Sequence, residues 1–115
     1  MMKAPWSLKR MGTSRRAEAL ALLGIAQRAG AIVKGTEATR RALRKGDARL
    51  VVLAEDGSET QRQKVLPLAK NRGVPCRIIG DRNELGAAVG SGPLTVMGVT
   101  GASFAKALQE RLGRD

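Results

Sequence analysis

The chain has 115 residues, which is enough for one domain with one core and too short for a second independent domain. It carries 21 Lys and Arg against 10 Asp and Glu, and the net charge of +11 predicts a polyanionic partner, with nucleic acid ahead of an anionic membrane surface. The absence of histidine excludes histidine-based catalysis and histidine metal sites, and the single Cys76 can form neither an intramolecular disulfide nor a zinc site by itself. We therefore expect a cytoplasmic protein that is not an enzyme, needs no metal or cofactor, and has no membrane-spanning segment.

The N-terminal part of the chain divides into an arm and a helix. Residues 1–13 contain basic residues, Pro5 and the only Trp, but no acid and no apolar periodicity, which predicts a basic flexible arm before a single domain at residues 14–115. Ser14 is a good helix N-cap, and the run from 15 to 29 is rich in Ala and Leu before a stop at Gly30. Because the apolar residues of this run spread around the helix, we expect the first helix to be largely buried.

Strands and helices alternate along the rest of the chain. Short apolar runs predict strands at 31–33, 50–54, 75–79 and 95–99, and the continuous run LVVLA at 50–54 is typical of a central strand covered on both faces. Helices are predicted from Gly35 to Lys45, from a capping box at Ser58 and Gln61 to about residue 72, and at 81–89 and 102–112; Pro67 either kinks its helix or starts a second piece. This alternation predicts an α/β fold, a three-layer α-β-α sandwich with a central mixed four-stranded sheet.

The helix after Gly35 contains the clearest candidate for a binding site. At about 100° per residue its small and apolar residues fall on one side, and the other side carries Glu37, Arg40, Arg41, Arg44 and Lys45. Lys34 and Gly35 come just before the helix, and the free N–H groups of a helix start can hold a phosphate or a base edge. This pattern favours contact with nucleic acid over the alternative of an ordinary solvated helix face.

Two other polar segments are weaker candidates. The segment GDRNELGAAVG at 80–90 lacks the spacing of a dinucleotide fingerprint, and taken alone it indicates a turn more than a site. The adjacent Glu55 and Asp56 stand at a strand end, where acid–base or Mg²⁺ chemistry is common, but the same pair is typical of a turn before a helix, which we favour. Trp6 and Phe104 are the only aromatic residues, so recognition of a structured RNA is favoured over stacking on unpaired bases.

Several of these segments, in this order and spacing, match the pattern of a known protein family. The sequences KGTEAT, LVVLAED, GVP and ELGAAVG, within a region from Ala19 to Leu112, resemble the superfamily of ribosomal proteins L7Ae and L30e, and within it the small bacterial YlxQ-type members. The resemblance implies an α-β-α sandwich that binds RNA, often at kink-turns, which are bent duplexes with tandem sheared G·A pairs. It places the RNA surface on two segments, whose residues in this chain are Lys34, Gly35, Thr36, Glu37 and Arg41, and Asp81, Arg82, Asn83, Glu84, Leu85, Gly86, Ala87 and Ala88.

The chain departs from the pattern of the resembled proteins at one important step. Kink-turn binders usually carry Asn-Glu after the Gly-Thr step, where this chain has Glu37 and Ala38, and the loop after ELG often has a basic residue where this chain has Ala87. Arg41 matches a position that is usually lysine. We therefore expect RNA binding but weak binding to a standard kink-turn.

Three functions follow from these observations in decreasing order of support. The first is a non-catalytic protein, a monomer when free, that binds structured RNA of kink-turn-like or ribosomal type and is associated with the ribosome or translation. The alternative is a protein–protein interaction module of the same fold without specific RNA binding, in which the charge serves solubility. An enzyme acting on RNA is the least supported, because the sequence lacks histidine, a cofactor motif and an acidic cluster.

Overall fold

A computed structural model describes the backbone of residues 3–112 and the side chains of residues 15–112. In this part of the chain, helices and strands alternate as the sequence predicts. The ends of most strands differ from the predicted ends by one or two residues. The elements are α1 (Lys3–Arg28), β1 (Ile32–Lys34), α2 (Thr36–Lys45), β2 (Leu50–Leu53), α3 (Glu59–Asn71), β3 (Cys76–Ile78), α4 (Arg82–Ala88), β4 (Val96–Val99) and α5 (Ala102–Leu112). None of the helices formed by residues 3–112 has the length and apolar character needed to cross a membrane.

The four strands form one mixed sheet in the order β1-β4-β2-β3. Strand β4 is antiparallel to both β1 and β2, whereas β2 and β3 are parallel. The register pairs Lys34 with Met97, and Leu53 with both Val96 and Ile78. The carboxyl ends of β1, β2 and β3 and the start of β4 therefore lie at the same end of the sheet, and the predicted mixed four-stranded sheet is confirmed.

Helices cover both faces of the sheet, which gives the predicted three layers. Along β2, Leu50 and Val52 join the core beneath α1, α4 and α5, and Val51 and Leu53 join the core beneath α2 and α3. All four of these side chains are buried, because successive strand residues point to opposite faces and both faces are covered. The prediction of a doubly covered central strand at LVVLA is confirmed.

Helix α1 differs from its prediction in two respects. The predicted start at Ser14 is wrong, since the helix begins at Lys3; Pro5 falls in the first turn, where a missing N–H breaks no helical bond. The expectation of a largely buried helix is also wrong, because α1 lies in an outer layer, burying Leu23 on one face and leaving Ile25 47% exposed. The flexibility predicted for the arm, residues 1–13, stays a prediction; residues 1 and 2 and the side chains of 3–14 lie outside the description.

The structure of helix α3 tests the predicted capping box at its start and the two alternatives for Pro67 in its middle. Its Ser58 N-cap accepts a hydrogen bond from the Gln61 N–H at 3.3 Å, so half of the predicted capping box is present. The other half is absent, because the Gln61 side chain instead accepts a 2.5 Å hydrogen bond from the Thr36 hydroxyl on α2. The helix runs as one piece through Pro67, which excludes a separate helix starting there.

Candidate nucleic-acid interface

The end of the sheet where β1, β2 and β3 finish is closed by a continuous set of backbone hydrogen bonds. We call this end the rim, and define it by residues 35–37, 54–56, 80–84 and 94–96. The residues before and at the start of β4 connect its parts: the Leu94 N–H donates to Arg82, the Ala54 N–H to Thr95, and the Gly35 N–H to Val96. The Glu55 N–H donates to the Gly80 carbonyl at 2.8 Å. The two segments predicted to bind RNA, far apart in sequence, thus lie on one surface.

The start of α2 leaves backbone donors open on the rim. Gly35 is the N-cap with φ 94°, a left-handed conformation that favours glycine, and it has no side chain with which to cap the helix. The first helical bond is from the Thr39 N–H to the Gly35 carbonyl, so the N–H groups of Thr36, Glu37 and Ala38 precede it. Such a helix start attracts anions through its free donors and its dipole.

The basic residues of α2 have different roles in the structure. Arg40 is half-buried; its guanidinium donates to the Lys64 carbonyl at 2.7 Å and lies 3.8 Å from the Glu37 carboxylate, so it ties α2 to α3. Arg41 is exposed one turn from the helix start, and Lys34 is exposed at the end of β1. Arg44 is also exposed but lies in the last turn, at the opposite end of α2 from the rim.

The start of α4, in contrast, is closed by carboxylates. The Asp81 side chain accepts from the Glu84 N–H at 2.8 Å, and the Glu84 side chain accepts from the Asp81 N–H at 2.9 Å, which completes a capping box. The N–H of Arg82 donates to Asp56 Oδ1 at 2.8 Å. These backbone donors are therefore occupied, and α4 offers carboxylate acceptors where α2 offers amide donors.

Three carboxylates of the rim, those of Glu55, Asp56 and Glu84, are paired with arginines. The hydrogen bond from the Arg82 N–H lowers the pKa of Asp56, and the Arg82 guanidinium adds an ion pair at 3.5 Å. Arg16 of α1 lies between Glu55 at 3.4 Å and Glu84 at 3.5 Å. These pairs are exposed and screened by solvent, so they contribute little to stability, and their importance is in setting the charge of the surface.

The other predicted site residues divide into exposed and buried ones. Asn83 and Ala87 are exposed on α4, and Ala87 borders a shallow apolar cleft that Ile25 also lines. Leu85 is fully buried in the core, and Gly86 is buried against the backbone of Gly92. Leu85 and Gly86 therefore pack inside the protein and are not on the surface of the rim.

Sequence reasoning missed three residues that the fold brings to the rim. Glu55 and Asp56 form the expected turn before α3, but the turn also places their carboxylates beside α4. Arg16 had no local signal, because only the packing of α1 brings it to the same carboxylates. Among residues 15–112, no group of three or more acidic, Cys or His side chains could hold a metal ion, and Cys76 is half-buried with a pKa raised by burial.

Comparison with known proteins gives consistent matches. The model of the ribosomal protein L7Ae/L30e/S12e/Gadd45 family matches residues 17–108. The chain is 33% identical over 100 residues to RNA-binding protein YlxQ of Enterococcus faecium, covering 87% of this chain and 96% of that protein. It is 34% identical over 87 residues to RNA-binding protein YlxQ of Bacillus subtilis, covering 76% and 87%. The solved structure of a Giardia lamblia 15.5kD RNA binding protein superposes with a TM-score of 0.72 at 28% identity, covering 87% of this chain and 86% of that one.

Proposed function

Because this chain belongs to the ribosomal protein L7Ae/L30e/S12e/Gadd45 family, we propose that it is a protein that binds structured RNA at the rim. Two of its relatives are RNA-binding proteins by name, which supports RNA as the partner and confirms the prediction that the chain is not an enzyme. The RNA is of kink-turn-like or ribosomal type, and the protein acts in the cytoplasm with the ribosome or translation, as a monomer when free.

One observation carries this proposal: residues 94–96 hydrogen-bond to segments from β1, β2 and α4 and hold them on one surface. The residues that the family resemblance selects, at 34–37 and 81–84, therefore lie on one surface, connected through residues 94–96. A rigid backbone connection of this kind fixes the relative positions of groups that recognise RNA, which lowers the entropy lost on binding.

The rim offers two kinds of contact to one RNA. The open N–H groups of Thr36, Glu37 and Ala38, with the cations of Lys34 and Arg41 nearby, suit phosphate oxygens or acceptor edges of bases. On the α4 side of the rim, the carboxylates can accept hydrogen bonds from the amino groups of bases, and they repel phosphates. We infer that the RNA backbone follows α2, and that base edges face the acidic side at Glu55 and Glu84, where Arg16 offsets part of the negative charge.

Glu37 sets the kind of RNA that is bound. Its carboxylate is well exposed at the start of α2, only loosely paired with Arg40 at 3.8 Å. A carboxylate can accept from a base amino group but cannot donate, whereas the Asn of kink-turn binders does both. The chain should therefore bind a standard kink-turn weakly, and the double change Glu37→Asn with Ala38→Glu should strengthen this binding by ~1–3 kcal/mol.

Filter binding with a kink-turn hairpin and with a plain hairpin of equal length tests the proposal. Arg41→Ala should weaken RNA binding about tenfold or more, because it removes a charge-assisted contact at the rim. The control Lys106→Ala removes an equal charge from α5 and should have a much smaller effect. Equal losses for both variants would place the RNA elsewhere, and an absence of RNA binding at low salt would favour the protein–protein interaction module.

A further inference from the structure

A second group of cations lies at the opposite end of the sheet from the rim. There, the last turns of α2 and α3 approach the start of β2 and enclose a cleft of about 320 Å³, lined by Arg49, Arg72, Gly46 and Gly73 among others. Arg44 and Lys45 belong to the last turn of α2, and Lys70 belongs to the last turn of α3. We call these five cations the far basic surface: Arg44, Lys45, Arg49, Lys70 and Arg72.

The cations of the far basic surface have no partners, unlike the arginines that pair with carboxylates or carbonyls around the rim. Among the described residues, all five side chains are exposed and none makes a hydrogen bond or an ion pair. Near the rim, by contrast, the guanidiniums of Arg16, Arg40, Arg62 and Arg82 are all engaged with carboxylates or backbone carbonyls. Arg41 and Lys34 near the rim are also exposed and unpaired among the described residues, so the far basic surface is a second, separate group of free cations.

This charge exceeds what the local structure needs. The carboxyl ends of α2 and α3 each present roughly half a negative charge, so about one cation would offset both helix dipoles. Asp47 is the only acid in residues 43–49 and 68–75. About three positive charges are left over, two of them on arginines that face one cleft, and arginine pairs of this kind suit the oxygens of phosphate groups.

We propose that the far basic surface binds the phosphate backbone of a second RNA segment, so that one protein molecule bridges two segments. The inference rests on the proposed function, since it takes RNA as the partner of the rim. Helix α2 connects the two surfaces and has ten residues, which corresponds to about 15 Å. RNA is favoured over a membrane because the exposed large apolar side chains of residues 15–112, Ile25 and Ile78, do not line this cleft.

Energy transfer between two labelled RNAs tests the bridge. A donor-labelled kink-turn hairpin and an acceptor-labelled plain RNA duplex are mixed with the protein, and hairpin binding is followed separately by anisotropy. The far variant carries Lys45→Gln, Arg49→Gln and Arg72→Gln. A matched control carries Lys64→Gln, Lys106→Gln and Arg111→Gln, which removes the same charge from exposed positions outside the far basic surface.

The wild type and the matched control should both give energy transfer. The far variant should lose the transfer while binding the hairpin within about twofold of the wild type. It should bind the duplex alone about tenfold more weakly at ~50 mM salt, with a salt slope smaller by about three, because three phosphate contacts are lost. Circular dichroism checks that each variant is folded.

Two results would overturn the bridge. One is a wild type that binds the hairpin but never gives transfer, and the other is a far variant that gives as much transfer and duplex binding as the matched control. The hairpin is used at concentrations that saturate a weak complex, since Glu37 weakens binding to a standard kink-turn; if the wild type does not bind it even there, the rim proposal fails instead. The measurement with the duplex alone then still decides whether the far basic surface binds RNA, since the far variant must bind the duplex more weakly than the matched control does.

Discussion

Replacing Gly86 by alanine should destabilise the protein, although this glycine lies inside a helix where alanine is normally the better residue. A Cβ at position 86 would lie 2.0 Å from the carbonyl oxygen and 2.7 Å from the carbonyl carbon of Gly92. The obstacle is backbone that the Ser91 N–H holds in place through its 2.7 Å hydrogen bond to the Gly86 carbonyl. The new methyl group therefore fits only if the turn after α4 moves away and that bond is strained.

The magnitude follows from two opposing effects. Overpacking a well-filled site costs up to about 3 kcal/mol, and the change from glycine to alanine in a helix returns about 1 kcal/mol. We expect Gly86→Ala to lower the free energy of unfolding by about 2 kcal/mol in urea denaturation. The matched control is Gly92→Ala on the other side of the contact, where a Cβ would meet nothing within 4 Å and the change should stay within about 0.5 kcal/mol.

The same pair of variants separates a packing role from an RNA-contact role. If Gly86 serves packing against Gly92 as the structure indicates, the Gly86→Ala protein loses stability but keeps most of its RNA affinity per folded molecule. A variant with wild-type stability and abolished RNA binding would refute the packing argument and place Gly86 in direct contact with RNA.

Three further changes probe the helices and the rim. Asp81→Ala removes the acceptor of the Glu84 N–H and should lower the free energy of unfolding by about 1 kcal/mol; an unchanged urea midpoint would contradict the cap. Thr39→Val replaces a fully buried hydroxyl that has no hydrogen-bond partner by a methyl group of similar size, and it should raise the free energy of unfolding by about 1 kcal/mol. A lower free energy of unfolding would instead show that the hydroxyl makes a hydrogen bond. The pKa of Asp56 is lower in the folded protein than its unfolded value of 3.8. The ionised carboxylate therefore stabilises the fold above that value, and this stabilisation is lost as the pH falls through the folded pKa. The difference in free energy of unfolding between wild type and Asp56→Asn should accordingly shrink in acid. A difference that grows in acid would contradict that sign.

Much of the fold could be predicted because local signals agreed with the tertiary structure. The buried run at 50–54, the glycine stop at Gly46 and the Asp81 cap each specify an element from adjacent residues. The failures at Ser14 and Ile25 have a common cause. Helix length and burial depend on what packs against α1, and the periodicity of its sequence does not reveal that α5 and α4 cover only one side.

For the candidate site, the sequence selected the segments but could not show the contacts that their side chains make. The resemblance selected residues 34–37 and 81–84, and the sheet order brings them to one rim. Sequence could not show that Arg40 is bound to the Lys64 carbonyl, or that Arg16 lies between Glu55 and Glu84, because these contacts join elements far apart in the chain. Nor could helical periodicity show that Arg44 belongs to the end of α2 remote from the rim.

The placement of RNA on the rim is tested most directly by titrating ¹⁵N-labelled protein with a structured RNA hairpin and following its backbone amides. The account predicts that the largest shift changes occur at the open N–H groups of Thr36, Glu37 and Ala38, with further changes at residues 54–56 and 81–83. Changes confined to α5, with the amides at the start of α2 unaffected at saturation, would contradict the account.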